Sequence, residues 1–190
     1  MAARVVLVEG PSDAEVLHVL AGRLGLEAPE VVPLGGITNV GRHLLEYAGR
    51  PGSTVAGLCD LGEVRFVVGA LNRLGHAVRE DELAAYGFFV CDTDLEDELI
   101  RALGTDAVVD VIEREGELGL LRTFQNQPYQ RGRSLHDQLH RFAGTRSGRK
   151  VRLAAALAAE LDADAVPAPL LDVLAFAAER VATRPGRGSP

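Results

Sequence analysis

The chain has 190 residues, 47% of them hydrophobic, and a formal net charge of −7. This length and apolar content suit a domain with its own buried core and exclude a disordered chain, and no apolar run reaches the length that spans a bilayer. The N-terminus lacks the charged-then-apolar pattern of a signal peptide, so a cytoplasmic location is expected.

In chain order, the apolar run Val5-Val6-Leu7-Val8 reads as a buried strand over residues 4–8. It stops at Glu9-Gly10, and a helix is expected over 12–24, where Val16, Leu17, Leu20 and Leu24 recur at helical spacing. A short strand over 30–33, a Gly35-Gly36 loop and a helix over 39–48 follow. A third strand over 55–59 precedes a helix over 64–74, and a fourth over 86–91 precedes a helix over 95–103. Strands alternating with helices at these intervals imply right-handed crossovers and an α/β fold, a four-stranded, mainly parallel sheet flanked by helices. Beyond that point the strand signal disappears. Helices are expected over 107–115, 118–125, 135–142, 151–161 and 170–181, the last preceded by Pro167 and Pro169. The expected organisation is an α/β core over 1–104, a C-terminal helical subdomain over 105–182 and a disordered, Pro/Gly-rich tail over 183–190.

Charge is unevenly spread. Residues 1–121 hold 9 basic and 21 acidic side chains, whereas residues 122–152 hold 8 basic and 1 acidic. Such a segment is either a footprint for a polyanion or the solvated surface of an arginine-rich protein. Lys150 is the single lysine among 19 arginines. Either an ammonium is required there, a compact charge suited to one phosphate, or one lysine has survived a compositional bias. The two cysteines, Cys59 and Cys91, each stand just before an acid and are expected to be buried free thiols. With five scattered histidines they offer no zinc-ligand spacing.

The chemistry-bearing residues gather at the ends of the expected strands. Glu9 ends the first, with Asp13 in the first turn of the next helix; Asp60 ends the third, with Glu63 three residues on; Asp92, Asp94 and Glu96 follow the fourth. In a parallel sheet these ends share one edge, where open α/β sheets place their ligands. Carboxylates converging there repel one another unless a cation lies between them. Hard oxygen donors suit Mg²⁺ or Mn²⁺, which bind phosphate oxygens and activate water for in-line displacement. Taken singly, Glu9 and Asp13 also read as acids complementing a helix N-terminus, and Asp92 as a helix cap. Glu63 reads as an N-terminal helix acid, and Asp97 and Glu98 as solvated. His136 and His140, four apart on an expected helix, read as surface or phosphate contacts.

These residues resemble the TOPRIM domain of topoisomerases, bacterial primases and several nucleases. The family pattern is a glutamate after strand one and an Asp-x-Asp after strand three. Val5–Gly10 matches the first element, and Gly35-Gly36 with Asn39 is similar to the family's second-strand loop. In Gly57-Leu58-Cys59-Asp60-Leu61-Gly62-Glu63, Asp60 fits the first aspartate but Gly62 stands where the second belongs. Either Glu63 swings in as a surrogate, or metal is held differently, or the site is weakened.

Within that group the chain most resembles the overcoming-lysogenization-defect (OLD) nucleases, through Glu9-Gly10-x-x-Asp13, Asp94-Leu95-Glu96 and Gly148-Arg149-Lys150. The resemblance covers roughly residues 4–182. It implies a two-metal DNA endonuclease, with Glu9 and Asp60 on one ion, Asp13, Asp94 and Glu96 on the second, and Lys150 facing the scissile phosphate. Glu9, Asp60 and Lys150 would then be the catalytic residues and the basic segment 122–152 the DNA contact. OLD nucleases carry an ABC-type ATPase before this domain, and no Gly-x-x-x-x-Gly-Lys-Ser/Thr pattern occurs here. The expectation is therefore a stand-alone TOPRIM part, acting unassisted or with a separate ABC-type ATPase partner. The alternative is a non-catalytic TOPRIM module partnering such an ATPase, in phage defence. Primase-like nucleotidyl transfer ranks last, for want of a template-binding zinc module.

Overall fold

The computed structural model describes residues 4–48, 50, 52–146 and 148–179. The first half alternates as expected: β1 (Arg4–Val8), α1 (Pro11–Arg23), β2 (Glu30–Pro33), α2 (Val40–Ala48), β3 (Thr54–Asp60), α3 (Val64–Arg73), β4 (Phe88–Cys91) and α4 (Leu95–Leu103). Five helices follow: α5 (Thr105–Arg114), α6 (Leu118–Gln125), α7 (Leu135–Ala143), α8 (Arg149–Glu160) and α9 (Ala168–Glu179). The strands lie in the order β2-β1-β3-β4, with all three pairings parallel. The fold is thus the expected α/β sheet with flanking helices. The disordered tail expected over 183–190 falls outside the described residues.

Both sheet faces are covered, which is why the strands read as near-continuous apolar runs. Side chains alternate along a strand. Val6 and Val8 of β1, with Ala56 and Leu58 of β3, enter a core shared with α1 and with α4 to α9. Val5, Leu7 and Cys59 enter a second core closed by α2, α3 and the turn that carries Leu83. The helices after Leu103 therefore share one apolar core with one face of the sheet. Within it α8 packs on α1 and α4, α7 on α4, and α9 across β3, β4 and β1. Cys59 and Cys91 are buried and unpaired, as expected.

Of the boundaries that differ from the sequence reading, three have a clear local reason. The fourth strand begins at Phe88, because Glu80–Tyr86 forms a 3₁₀ segment. The Glu82 carboxylate caps the Arg79 N–H at 2.9 Å, and Gly87 ends the segment at φ 83°, in the left-handed region. A 3₁₀ turn at Ile37–Asn39 precedes α2, and Asn39 Nδ2 donates to the Leu34 carbonyl at 3.0 Å, closing the glycine loop. Finally, α8 starts at Arg149, directly after Gly148 at φ 79°. Lys150 consequently sits in the first turn of a helix and not in the loop before it.

Candidate metal centre

The carboxyl ends of β1, β3 and β4 form one acidic rim. Glu9 leaves β1, and Gly10 continues extended as the N-cap of α1. The Gly10 N–H donates to Asp13 Oδ2 at 2.9 Å, which turns the buried Asp13 back toward the strand end. Asp60 is the last residue of β3, and a single 3₁₀ turn, Leu61–Glu63, carries the chain over the rim. That turn brings Glu63 back beside Asp60. One carboxylate oxygen from each of Glu9, Asp60 and Glu63 lies within 4.8 Å of the other two. Glu63 is thus a member of the group and more than the helix-starting acid that its position suggested. A Cβ at Gly62, by contrast, would meet no atom within 4 Å.

From β4 the rim receives Asp94 and Glu96. Asp94 is the N-cap of α4, with Oδ1 accepting the Asp97 N–H at 2.9 Å and Oδ2 held by His140 Nε2 of α7 at 2.7 Å. Glu96 is buried; its Oε2 pairs with Lys150 Nζ at 3.1 Å, while Oε1 is shut off from solvent and has no hydrogen-bond partner. Asp13, Asp94 and Glu96 are not drawn into a second group of three as tight as the first, among the described residues. Each already has a partner supplied by the protein.

Electrostatics follow from this crowding. Burial, reinforced by the Asp13, Asp94, Glu63 and Glu9 carboxylates, pushes the Asp60 carboxyl up to about 7. Burial also raises Asp13, Glu63 and Glu96 above the usual carboxylate range. Burial alone would lower the Lys150 ammonium, but the Glu96, Asp13 and Asp94 carboxylates outweigh it and hold it protonated. The donor set fits a hard dication. It is all carboxylate oxygen, and Glu63 Oε2, out of solvent, has no partner. Glu9, Asp60 and Glu63 are the residues that would hold it.

Around the rim, several surface expectations are corrected. Asp97 binds His136 Nε2 and Arg101 Nε, both at 2.7 Å, and these contacts hold it below its usual range even though burial works the other way. Glu98 is buried, accepts the Asp92 N–H at 2.9 Å and pairs with Arg101 at 2.9 Å. Asp94, not Asp92, is the helix cap. His136 and His140 face carboxylates of α4 and so clamp α7 to the rim. Spacing held a clue to them: histidines four apart on one helix match acids three apart on a capping turn.

The basic segment 122–152 reaches the rim through His140 of α7 and Lys150 of α8. Arg149 and Arg152 both bind Glu117, and Arg152 also reaches Glu115 at 3.2 Å. Arg131, Arg133, Arg141 and Arg146 are exposed and have no carboxylate partner among the described residues.

A four-stranded parallel sheet of this order, with flanking helices and acids at the ends of its central strands, places the chain in the α/β class. Within that class, the chain has the fold of the C-terminal region of OLD proteins. It superposes on that region of the Burkholderia pseudomallei OLD protein with a TM-score of 0.70 at 24% identity, covering 96% of this chain and 100% of the other. The Xanthomonas campestris pv. campestris OLD protein gives 0.66 at 25% identity over 95% and 97% of the two chains. No protein-family model matches the sequence, and no curated protein matches it.

Proposed function

We propose that this chain is a divalent-metal-dependent DNA endonuclease of the OLD-like TOPRIM type, using Mg²⁺ or Mn²⁺ in two-metal phosphodiester hydrolysis. The observation that carries this reading is the convergence of Glu9, Asp60 and Glu63 within 4.8 Å at the carboxyl edge of the sheet. A dication bound there would polarise the scissile phosphate and lower the pKa of an attacking water. The chain's own groups do the rest. Glu9, Asp60 and Glu63 fix the cation position, while Asp13, Asp94 and Glu96 form the second acidic wall. Lys150 offers its ammonium to a phosphate oxygen. The unpaired arginines of segment 122–152 hold the DNA backbone, an attraction that weakens steeply with salt. Two buried free thiols suit a reducing cytoplasm, and no helix among the described residues is long and apolar enough to cross a membrane.

The alternative, a non-catalytic module partnering a separate ABC-type ATPase, drew its support from Gly62. Glu63 beside Glu9 and Asp60 offers a carboxylate one residue later, which favours the endonuclease reading. An ATPase partner remains compatible with the endonuclease reading.

The test is nicking of supercoiled plasmid. Cleavage is expected with Mg²⁺ or Mn²⁺ and none with EDTA. Glu9→Ala should abolish it, by at least about 100-fold, with an unchanged melting temperature. Full activity in that variant would overturn the assignment.

A further inference from the structure

Among the described residues, the exposed large apolar side chains are four leucines and one aromatic, Tyr129, which at 70% is the most exposed of them. It stands in the loop between α6 and α7, and that loop is firmly held. Pro128 fixes φ one residue earlier. The Gln127 and Gln130 carbonyls accept the Gln130 and Arg133 N–H groups at 2.9 and 3.0 Å. The buried Gln138 of α7 donates from Nε2 to the Gln130 and Arg133 carbonyls at 2.8 and 3.3 Å, and its Oε1 accepts Gln125 Nε2 at 2.8 Å. A buried amide thus uses all its bonds to fix the shape of a surface loop whose apolar ring faces water. Arg133 Nε donates to the Tyr129 carbonyl at 3.2 Å and Arg131 Nε to the Asn126 carbonyl at 3.0 Å. Two exposed guanidinium groups, neither with a carboxylate partner among the described residues, are therefore anchored to the backbone of the same loop.

A fixed aromatic ring among guanidinium groups has the chemistry that binds an unpaired base: the ring stacks on the base face and the arginines take the neighbouring phosphates. A paired duplex has no free base face to offer. The charge of the surrounding segment, 8 basic to 1 acidic over residues 122–152, suits a phosphate backbone beside the ring. The loop also stands close to the rim. It leads into α7 at Leu135, and His140, which holds Asp94, lies about 8 Å further along that helix at 1.5 Å per residue. We propose that Tyr129 is a base-stacking residue, and that the substrate of this chain is DNA with unpaired bases within a few nucleotides of the cut. This substrate class rests on the endonuclease reading above.

The chain has no tryptophan, so Tyr129→Trp places a single fluorescent reporter on the loop. In EDTA, where no cleavage is expected, its emission should be quenched by a single-stranded oligonucleotide and not by a blunt duplex of the same sequence. Anisotropy titrations with the same two DNAs give the ratio of single-strand to duplex affinity. That ratio should fall about 10-fold in Tyr129→Ala and be kept in Tyr129→Phe. The salt dependence of single-strand binding should stay that of the wild type in both, because a ring neutralises no phosphate. Melting curves check that each variant is folded, which the exposure of Tyr129 favours. A reporter quenched equally by both DNAs or by neither, or an unchanged ratio in Tyr129→Ala, would overturn the proposal and leave the metal-dependent reading standing, since plasmid nicking decides that reading. Binding of neither DNA by the wild type would overturn this proposal together with the DNA contact assigned to the basic segment.

Discussion

Asp60 carries the heaviest electrostatic load of any residue at the rim. Its carboxyl is pushed up to about 7 from an ordinary 3.8, so it holds its proton well above the usual carboxylate range in the metal-free protein. The sign is therefore fixed. A group whose folded pKa is raised stabilises the fold below its unfolded pKa, and that contribution is lost as pH rises through the folded value. Metal-free protein should melt at progressively lower temperature as pH rises from about 4 to about 8. Divalent-ion affinity should move the other way, rising across about pH 6 to 8 as the competing proton leaves. Mn²⁺ titrations at several pH values, beside melting curves in EDTA, check both slopes; a flat affinity profile would remove Asp60 from the ligand set. At this scale the sequence was readable for Glu9, Asp60 and Asp94, because each follows an apolar run. Glu63 was ambiguous, because whether a residue begins a helix or turns back over a strand end depends on one 3₁₀ turn, and Gly62 permits either. His140 was misread because its partner, Asp94, is 46 residues away.

Elements place these residues, and they do so through close approaches that tolerate no extra atom. Gly57, in the middle of β3, faces the Phe88 ring of β4. A Cβ at position 57 would lie 2.3 Å from Phe88 Cε1 and 3.2 Å from the Leu7 carbonyl oxygen of β1. The β1–β3–β4 spacing that brings Glu9 and Asp60 together thus depends on a missing side chain. Gly57→Ala should destabilise the fold by about 1–3 kcal/mol through overpacking, read as a lower denaturation midpoint in urea. An unchanged midpoint would mean that Phe88 repacks freely. The strands and helices themselves were legible from apolar runs and helical spacing. What escaped was punctuation: a 3₁₀ segment where a strand was extended back to residue 86, and a helix opening at Arg149 after a left-handed Gly148. Both turn on backbone conformation at a single glycine, which composition does not display.

For the whole molecule, the division of charge is the organising fact. An acidic sheet edge meets a basic segment, and helices α7 and α8 bring the two into register through His140–Asp94 and Lys150–Glu96. The sequence showed the two populations of charge but not their contact, because that contact spans α4 to α8 and is made by packing on one face of the sheet. The same packing explains why helices that read as an appendage share a core with β1 and β3. Everything proposed for this chain follows from a dication seated on the rim, so its position is the decisive observable. In crystals grown with Mn²⁺, the anomalous difference map should show a peak within about 2.5 Å of carboxylate oxygens of Glu9, Asp60 and Glu63. A map with no peak there, or with Mn²⁺ only at surface acids elsewhere, would contradict the account.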